Sequence, residues 1–334
     1  MLSRKRYAAA PAMVMAFGIF ISFALQFLLE RTARGLAGPV LQILSYLLVL
    51  LALHVFLTIY RTFRQDRPVI WRLESSHFAI GVWPAALNVA AAVVAANTPL
   101  VWLARALNLA AWACWALYMY WFLRLLRARP DFGRTVLGSA FLLTVSTQST
   151  IVGTLNAWGA VTGLFWFFLA FNLLGLLFYL YMFALVWVLR GPKAQLAEWR
   201  PANNITHGAL SISILALETV SVRYAFCLSV VSVLNVLWTL ATVFFLVILG
   251  MELVLMRSPD SAGIPRFEYG NYARNFTYGM YFACTWYGFQ NIEGFLARRV
   301  FSDGLFLALA LVVLALNLWE GIRHAVLFFR AAGK

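Results

Sequence analysis

Charge is what this sequence has least of. Only 11% of its 334 residues are Asp, Glu, Lys or Arg, where an ordinary soluble domain carries about 25%. So few polar side chains cannot cover a water-facing globule of this size, which excludes a soluble enzyme. Cysteine is scarce too. Cys114, Cys227 and Cys284 fall in or beside apolar stretches with no paired spacing, which excludes a disulfide framework and a thiolate metal motif. No glycine-rich phosphate loop is present, so ATP-driven transport within this chain is not expected. Nor does a long linker or low-complexity segment divide the chain, and residues 1–334 read as a single transmembrane domain.

Apolar residues fill what charge leaves, at 63% of the chain, and mean hydropathy is +0.82. The net charge is +14, but Lys and Arg are spread through short loops rather than clustered on one face, so nucleic acid is not an expected partner. A hydrocarbon core about 30 Å thick takes roughly 20 apolar residues per helix. On that measure spans are expected near 11–30, 38–60, 77–96, 100–123, 136–157, 161–189, 204–222, 229–256, 272–292 and 304–327, an all-α integral membrane protein of ten transmembrane helices. The first span follows Arg4-Lys5-Arg6. It is longer than the core of a cleaved leader, so a retained anchor is expected.

Positive charge orients these spans, because cytoplasmic loops collect Lys and Arg. With the N-terminus inside, the inner segments hold Arg4, Lys5, Arg6, Arg61, Arg64, Arg67, Arg72, Arg124, Arg127, Arg129, Arg134, Arg190, Lys193, Arg200, Arg257, Arg266, Arg274, Arg323, Arg330 and Lys334. Of the 26 basic residues only Arg31, Arg34, Arg105, Arg223, Arg298 and Arg299 remain outside. Both termini are therefore expected in the cytoplasm, and the location is a cell membrane, the inner membrane in a bacterium.

Odd and even spans differ. Small and polar residues recur at helical spacing in the odd ones: Gly18, Ser22 and Gln26; Gly81, Pro84, Asn88 and Ala91; Ser139, Ser146, Thr147, Thr150 and Gly153; Gly208, Ser211, Leu215 and Glu218; Phe276, Gly279, Ala283 and Gln290. Spans four and six instead crowd Trp112, Trp115, Tyr118 and Trp121, and Phe165, Trp166, Phe167, Phe168 and Phe171, which suits lipid contact. Span eight blurs the contrast with Asn235, Thr239 and Thr242. Such stripes have two explanations, close helix packing or the lining of a narrow pore.

Three segments carry a family likeness: Phe141-Leu-Leu-Thr-Val-Ser-Thr-Gln-Ser149, Ile205-Thr-His-Gly-Ala-Leu210 and Phe276-Thr-Tyr-Gly-Met-Tyr281, with weaker matches at Pro11, Gly18 and Asn88-Val89. Together they resemble the tellurite-resistance/dicarboxylate transporter family, related to plant slow-type anion channels and yeast sulfite and malate transporters. The resemblance implies five helical hairpins with quasi-fivefold symmetry around a central pore, assembled as a homotrimer. It implies a pore lined by the odd helices and occluded by a phenylalanine, here Phe276. The lining would then include Gly18, Ser22, Gly81, Asn88, Ser146, Thr150, Gly153, Gly208, Ser211, Gly279 and Ala283. Small inorganic or organic anions are the implied partners, and no cofactor is. The chain departs from the pattern at Thr277, where relatives often have proline, at His207, commonly methionine, and at Glu218, more usually small and apolar.

Titratable groups inside the spans are few. Glu30, Asp66, Glu74, Asp131, Glu198, Asp260, Glu268, Glu293, Asp303 and Glu320 fall in loops or near span ends, leaving Glu218 and Glu252 deeper. Glu218 is a candidate proton or charge site by its depth, or a partner for Arg223 or Arg105. At the inner mouth Arg134, Arg200, Arg266 and Arg274 either steer anions or only set topology. His54 lies mid-span with no second histidine expected at its depth, and His77 and His324 read as interfacial. Neither metal nor catalytic residues are expected. The function read from the sequence is transport of small anions or weak-acid anions. A proton-coupled exporter of sulfite, tellurite-like oxyanions or C4-dicarboxylates is the alternative, and an intramembrane redox or sensory protein the alternative of another class.

Overall fold

A bilayer core offers no water to satisfy backbone N–H and C=O groups, so spanning segments close their hydrogen bonds within themselves. The computed structural model, which describes residues 9–65, 75–129, 132–134, 136–191, 193, 198–256 and 269–332, is accordingly helical throughout its regular structure. The long helices are α1 (Ala12–Thr32), α2 (Arg34–Gln65), α3 (Val82–Asn97), α4 (Val101–Ala128), α5 (Leu142–Trp158), α6 (Phe165–Leu189), α7 (Ile205–Arg223), α8 (Cys227–Met256), α9 (Tyr269–Asn291) and α10 (Asp303–Ala332). Eight of these are long and apolar enough to cross a membrane, α5 and α9 being the more polar exceptions. This is a multi-pass membrane protein.

Hydroxyls inside the helices are absorbed by the turn before them. Thr147 donates to Leu143 O at 2.9 Å, Ser211 to His207 O at 2.9 Å and Ser221 to Leu217 O at 2.7 Å, which lets polar residues sit in apolar surroundings. Tight turns join successive helices at one end of the molecule, the hairpin end. Ala33 alone separates α1 from α2, and residues 98–100 separate α3 from α4. Gly159 and Gly163, at φ 75° and 85°, carry the chain from α5 to α6. Both need the left-handed backbone that glycine adopts freely, and α6 starts at Phe165, later than the sequence spacing predicts. At the opposite, loop end, α3, α5 and α7 each open through a 3₁₀ turn, at Ser75–Gly81, Gly138–Phe141 and Pro201–Asn204.

Odd-numbered helices form an inner ring: α1 packs on α3, α3 on α5, α5 on α7, α7 on α9, and α9 back on α1. Their surfaces interlock at glycines. A Cβ on Gly18 would collide with Val89, on Gly153 with Asn88 and on Gly208 with Thr277, and one on Gly279 would stand 2.9 Å from Ile19. Even-numbered helices lie outside, α4 against α3 and α5, α6 against α5 and α7, and α8 against α7 and α9. Burial follows the same division. In the apolar stretches of α1, α3 and α7, 67%, 72% and 94% of residues are buried, against 22–33% in the even helices. Leu50, Leu117, Leu180, Leu246 and Ile322 stand exposed on that outer layer, as a lipid-facing surface requires. Of the rings expected to face lipid in the fourth and sixth spans, only Trp166 and Phe167 are exposed; Tyr118, Trp121, Phe168 and Phe171 are buried against the inner ring, and Trp112, Trp115 and Phe165 are half-buried.

Arg4, Lys5, Arg6, Arg67, Arg72, Arg257, Arg266 and Lys334, and with them Asp66, Glu74, Asp131, Asp260 and Glu268, lie outside the described residues. The side chains of His77, Arg134, Cys227 and Arg330 do as well.

Candidate functional site

The inner ring encloses a cavity of about 280 Å³ toward its hairpin end. All five inner helices wall it. From α1 come Ile19, Ser22, Phe23 and Gln26, and from α3 Asn88, Val89 and two alanines. Helix α5 supplies Ser149, Val152, Gly153 and Asn156, α7 supplies Ile212 and Leu215, and α9 supplies Trp286, Tyr287, Gln290 and Asn291. None of these is charged. Amides gather toward the hairpin end, while Ile19, Val89 and Ile212 form an apolar floor.

Local structure explains part of the lining. Residues Phe20–Leu25 form a π-helical stretch within α1, and Ser22 and Phe23 belong to it. Such one-residue expansions recur at functional sites because they turn side chains out of the regular register. On α5, Ser146, Ser149, Gly153 and Asn156 recur at three and four residues, one face of a helix.

Below the floor the ring closes. Phe276 is fully buried on α9, about 15 Å along the helix from Trp286 at 1.5 Å per residue. It shares a helix face with Ala283 and Tyr287. Of the residues expected along a pore, Ser22, Asn88 and Gly153 reach the cavity, and Asn88 donates to Thr150 at 3.1 Å across the α3–α5 contact. Ser146, Ser211 and Ala283 are buried deeper. Gly18, Gly208 and Gly279 meet neighbouring inner helices, whereas Gly81 faces outward onto the Tyr118 ring of α4, 2.8 Å from where its Cβ would be.

Two acids differ from expectation. Glu218 pairs with neither Arg223 nor Arg105. Both carboxylate oxygens are buried without a hydrogen-bond partner among the described residues, against Gly288 of α9, whose missing side chain makes room for them. Arg105 instead donates to Ala157 O at 3.4 Å and lies 4.8 Å from the Trp158 ring centre. Glu320, expected near a span end, is fully buried inside α10. Its Oε1 stands 3.3 Å from Arg274 Nη2 and 3.3 Å from Arg323 Nη1. Arg274, expected at the inner mouth, is thus turned into the α9–α10 contact, where pairing offsets the desolvation of both charges. Arg200 is exposed.

Further polar groups surround the loop-end half of the ring. Glu252 of α8 accepts hydrogen bonds from Asn204 Nδ2 at 2.6 Å and the Tyr278 hydroxyl at 3.3 Å. The His207 ring packs edge-on to Tyr278 and Phe245, with centroids 5.9 and 5.5 Å away. His324 lies within electrostatic reach of His54, so His54 does have a second histidine near its depth; α2 and α10 bring together residues that the sequence spaces far apart. Among the described residues no group of three or more His, Cys, Asp or Glu is placed to hold a metal.

Asn108 and Asn172, on the outer helices α4 and α6, are buried polar residues that the sequence reading missed. Asn172 and Gln148 are joined reciprocally, Gln148 Nε2 to Asn172 O and Asn172 Nδ2 to Gln148 Oε1, both at 2.9 Å. The signal was a lone asparagine inside an aromatic span, which must find partners at membrane depth. No protein-family model matches this sequence, and no curated protein matches it.

Proposed function

We propose that this protein carries small anions, or the anions of weak acids, across a membrane along the axis of its inner ring. The observation that carries this reading is an uncharged cavity to which all five odd-numbered helices contribute. A path lined by amides, hydroxyls and helix backbone replaces part of an ion's hydration shell without trapping it, as a fixed opposite charge would. Phe276, buried on the face of α9 that leads down from the cavity, is the occluding residue in this proposal. The wider proposal follows the likeness to the tellurite-resistance/dicarboxylate transporters: ten spans as five hairpins with quasi-fivefold symmetry, both termini cytoplasmic, a homotrimer in the cell membrane, and transport rather than catalysis.

Electrical recording of the purified protein in lipid bilayers, under chloride and nitrate gradients, tests it. The expected result is a small current for the wild type and a much larger anion current for Phe276→Ala. A folded Phe276→Ala protein that passes no anion overturns the channel reading.

One observation favours proton-coupled export as a second reading. Glu218 is a carboxyl group buried in α7 with no hydrogen-bond partner among the described residues, three residues along the helix from cavity-lining Leu215. An ionisable group so placed is suited to carry a proton with a transported anion. Uptake of weak acids into vesicles, followed against pH, should lose its pH dependence in Glu218→Gln. An unchanged profile removes the proton role.

A further inference from the structure

One indole N–H sets the direction of a chain of hydrogen bonds that ends at the cavity wall. Trp158 Nε1, at the end of α5, lies 3.0 Å from Asn108 Oδ1. An indole N–H only donates, so the oxygen of the Asn108 carboxamide must face it, and the amide nitrogen must face the other way. That nitrogen donates to Asn88 Oδ1 at 2.8 Å and to Thr154 Oγ1 at 3.2 Å. Turning Asn108 over would set N–H against N–H at Trp158 and oxygen against oxygen at Asn88.

The same logic passes to the next residue. With its oxygen occupied by Asn108, the Asn88 carboxamide has its nitrogen toward Thr150 Oγ1, at 3.1 Å. Thr150 is able only to accept there, because its own hydroxyl donates to Ser146 O at 2.8 Å. A second indole holds the branch point: Trp112 Nε1 donates to Thr154 Oγ1 at 3.0 Å, and the Thr154 hydroxyl donates to Thr150 O at 2.7 Å. The Thr154 hydroxyl also lies 3.4 Å from Asn108 Oδ1, so it is the Trp158 indole, which only donates, that fixes the orientation of Asn108 and through it that of Asn88. Asn88 keeps one N–H beyond those used, and Asn88 lines the cavity together with Gly153, whose bare Cα makes room for the Asn88 oxygen.

We infer that Asn88 offers an N–H donor to the transported solute, that Asn108 and Trp158 are positioning residues which hold it in that orientation, and that the solute at this point is one rich in lone pairs, an anion of the nitrate, halide or carboxylate kind. The inference deepens the transport proposal and rests on it. The relay specifies a donor where an unconstrained amide would present either end, so it favours anions over cations without placing a fixed positive charge in the path. N–H groups bind charged acceptors about twice as strongly as neutral ones, which distinguishes an anion from an uncharged solute of the same size.

The test uses the full chain carrying Phe276→Ala, so that current reports binding in the cavity, with nitrate as the probe. In that background Asn108→Asp keeps an acceptor for Trp158 and removes the donor to Asn88. The nitrate concentration for half-maximal current should rise about tenfold, the effect of losing one hydrogen bond to a charged group, while maximal current is retained. Trp158→Phe, which frees the Asn108 flip, should shift it in the same direction by less, and Asn88→Ala should match Asn108→Asp. Asn88→Thr, which restores a hydroxyl donor, should recover part of the loss. Half-saturation unchanged in Asn88→Ala and Trp158→Phe, with anion current intact, overturns the relay and leaves the pathway standing. Absence of anion current in the Phe276→Ala parent overturns the pathway and the relay with it.

Discussion

Glu320 and Glu218 are both fully buried carboxyl groups on helices of the same bundle, and their surroundings are opposite. Between α9 and α10, Glu320 has two guanidinium groups at 3.3 Å. Between α7 and α9, Glu218 has an absent glycine side chain and no donor among the described residues. The first arrangement stabilises a charge and holds an outer helix to the ring. The second holds a polar group that packing alone does not need. Burial of an ionisable group is therefore not one phenomenon here: one site is built for the fold, and the other is a cost to the fold kept beside the cavity.

Removing one member of the paired site should have the largest effect. Glu320→Leu leaves Arg274 buried and uncompensated, and is expected to cost about 3–5 kcal/mol, read as loss of the folded fraction in detergent by thermal unfolding. Gly208→Ala, which drives a methyl group into Thr277, should cost about 1–3 kcal/mol by overpacking, measured in the same way. Glu218→Met should reverse the sign. Replacing a partnerless buried carboxyl by an apolar chain is expected to stabilise the protein by about 1–2 kcal/mol, and a destabilised variant would mean Glu218 has a structural partner. The smallest effect belongs to the Arg190–Glu198 pair, 2.9 Å apart but with the glutamate 55% exposed. Glu198→Ala should change stability by less than about 1 kcal/mol, and less still in high salt.

Much of the architecture was legible because a bilayer reduces the choices. Apolar runs of sufficient length give helices, and small-polar stripes separate the odd helices from the aromatic faces of α4 and α6. Partners were not legible. Arg274 and Glu320 are far apart in the chain, and each alone reads as the end of a span. A helical stripe gives a face but not what the face meets: Gly153 and Gly81 belong to similar patterns, yet one abuts Asn88 at the cavity and the other the Tyr118 ring of an outer helix. Asn108 was hidden for the converse reason, since Trp112 and Trp115 beside it in the sequence read as lipid-facing, while Trp112, and Trp158 from the distant end of α5, donate into its cluster.

The π-helical stretch at Phe20–Leu25 divides α1 into two parts with separate phases. Deleting one residue there would swing Gln26 and all that follows by about 100° around the helix axis, while Gly18 and Ile19 kept their places against Val89 and Gly279. The helix thus works like a key with a rotatable bow: the half that fits the narrow part of the ring is set independently of the half that shapes the mouth. A lineage could retune what enters the cavity by moving that one-residue step, without loosening the closure beneath it.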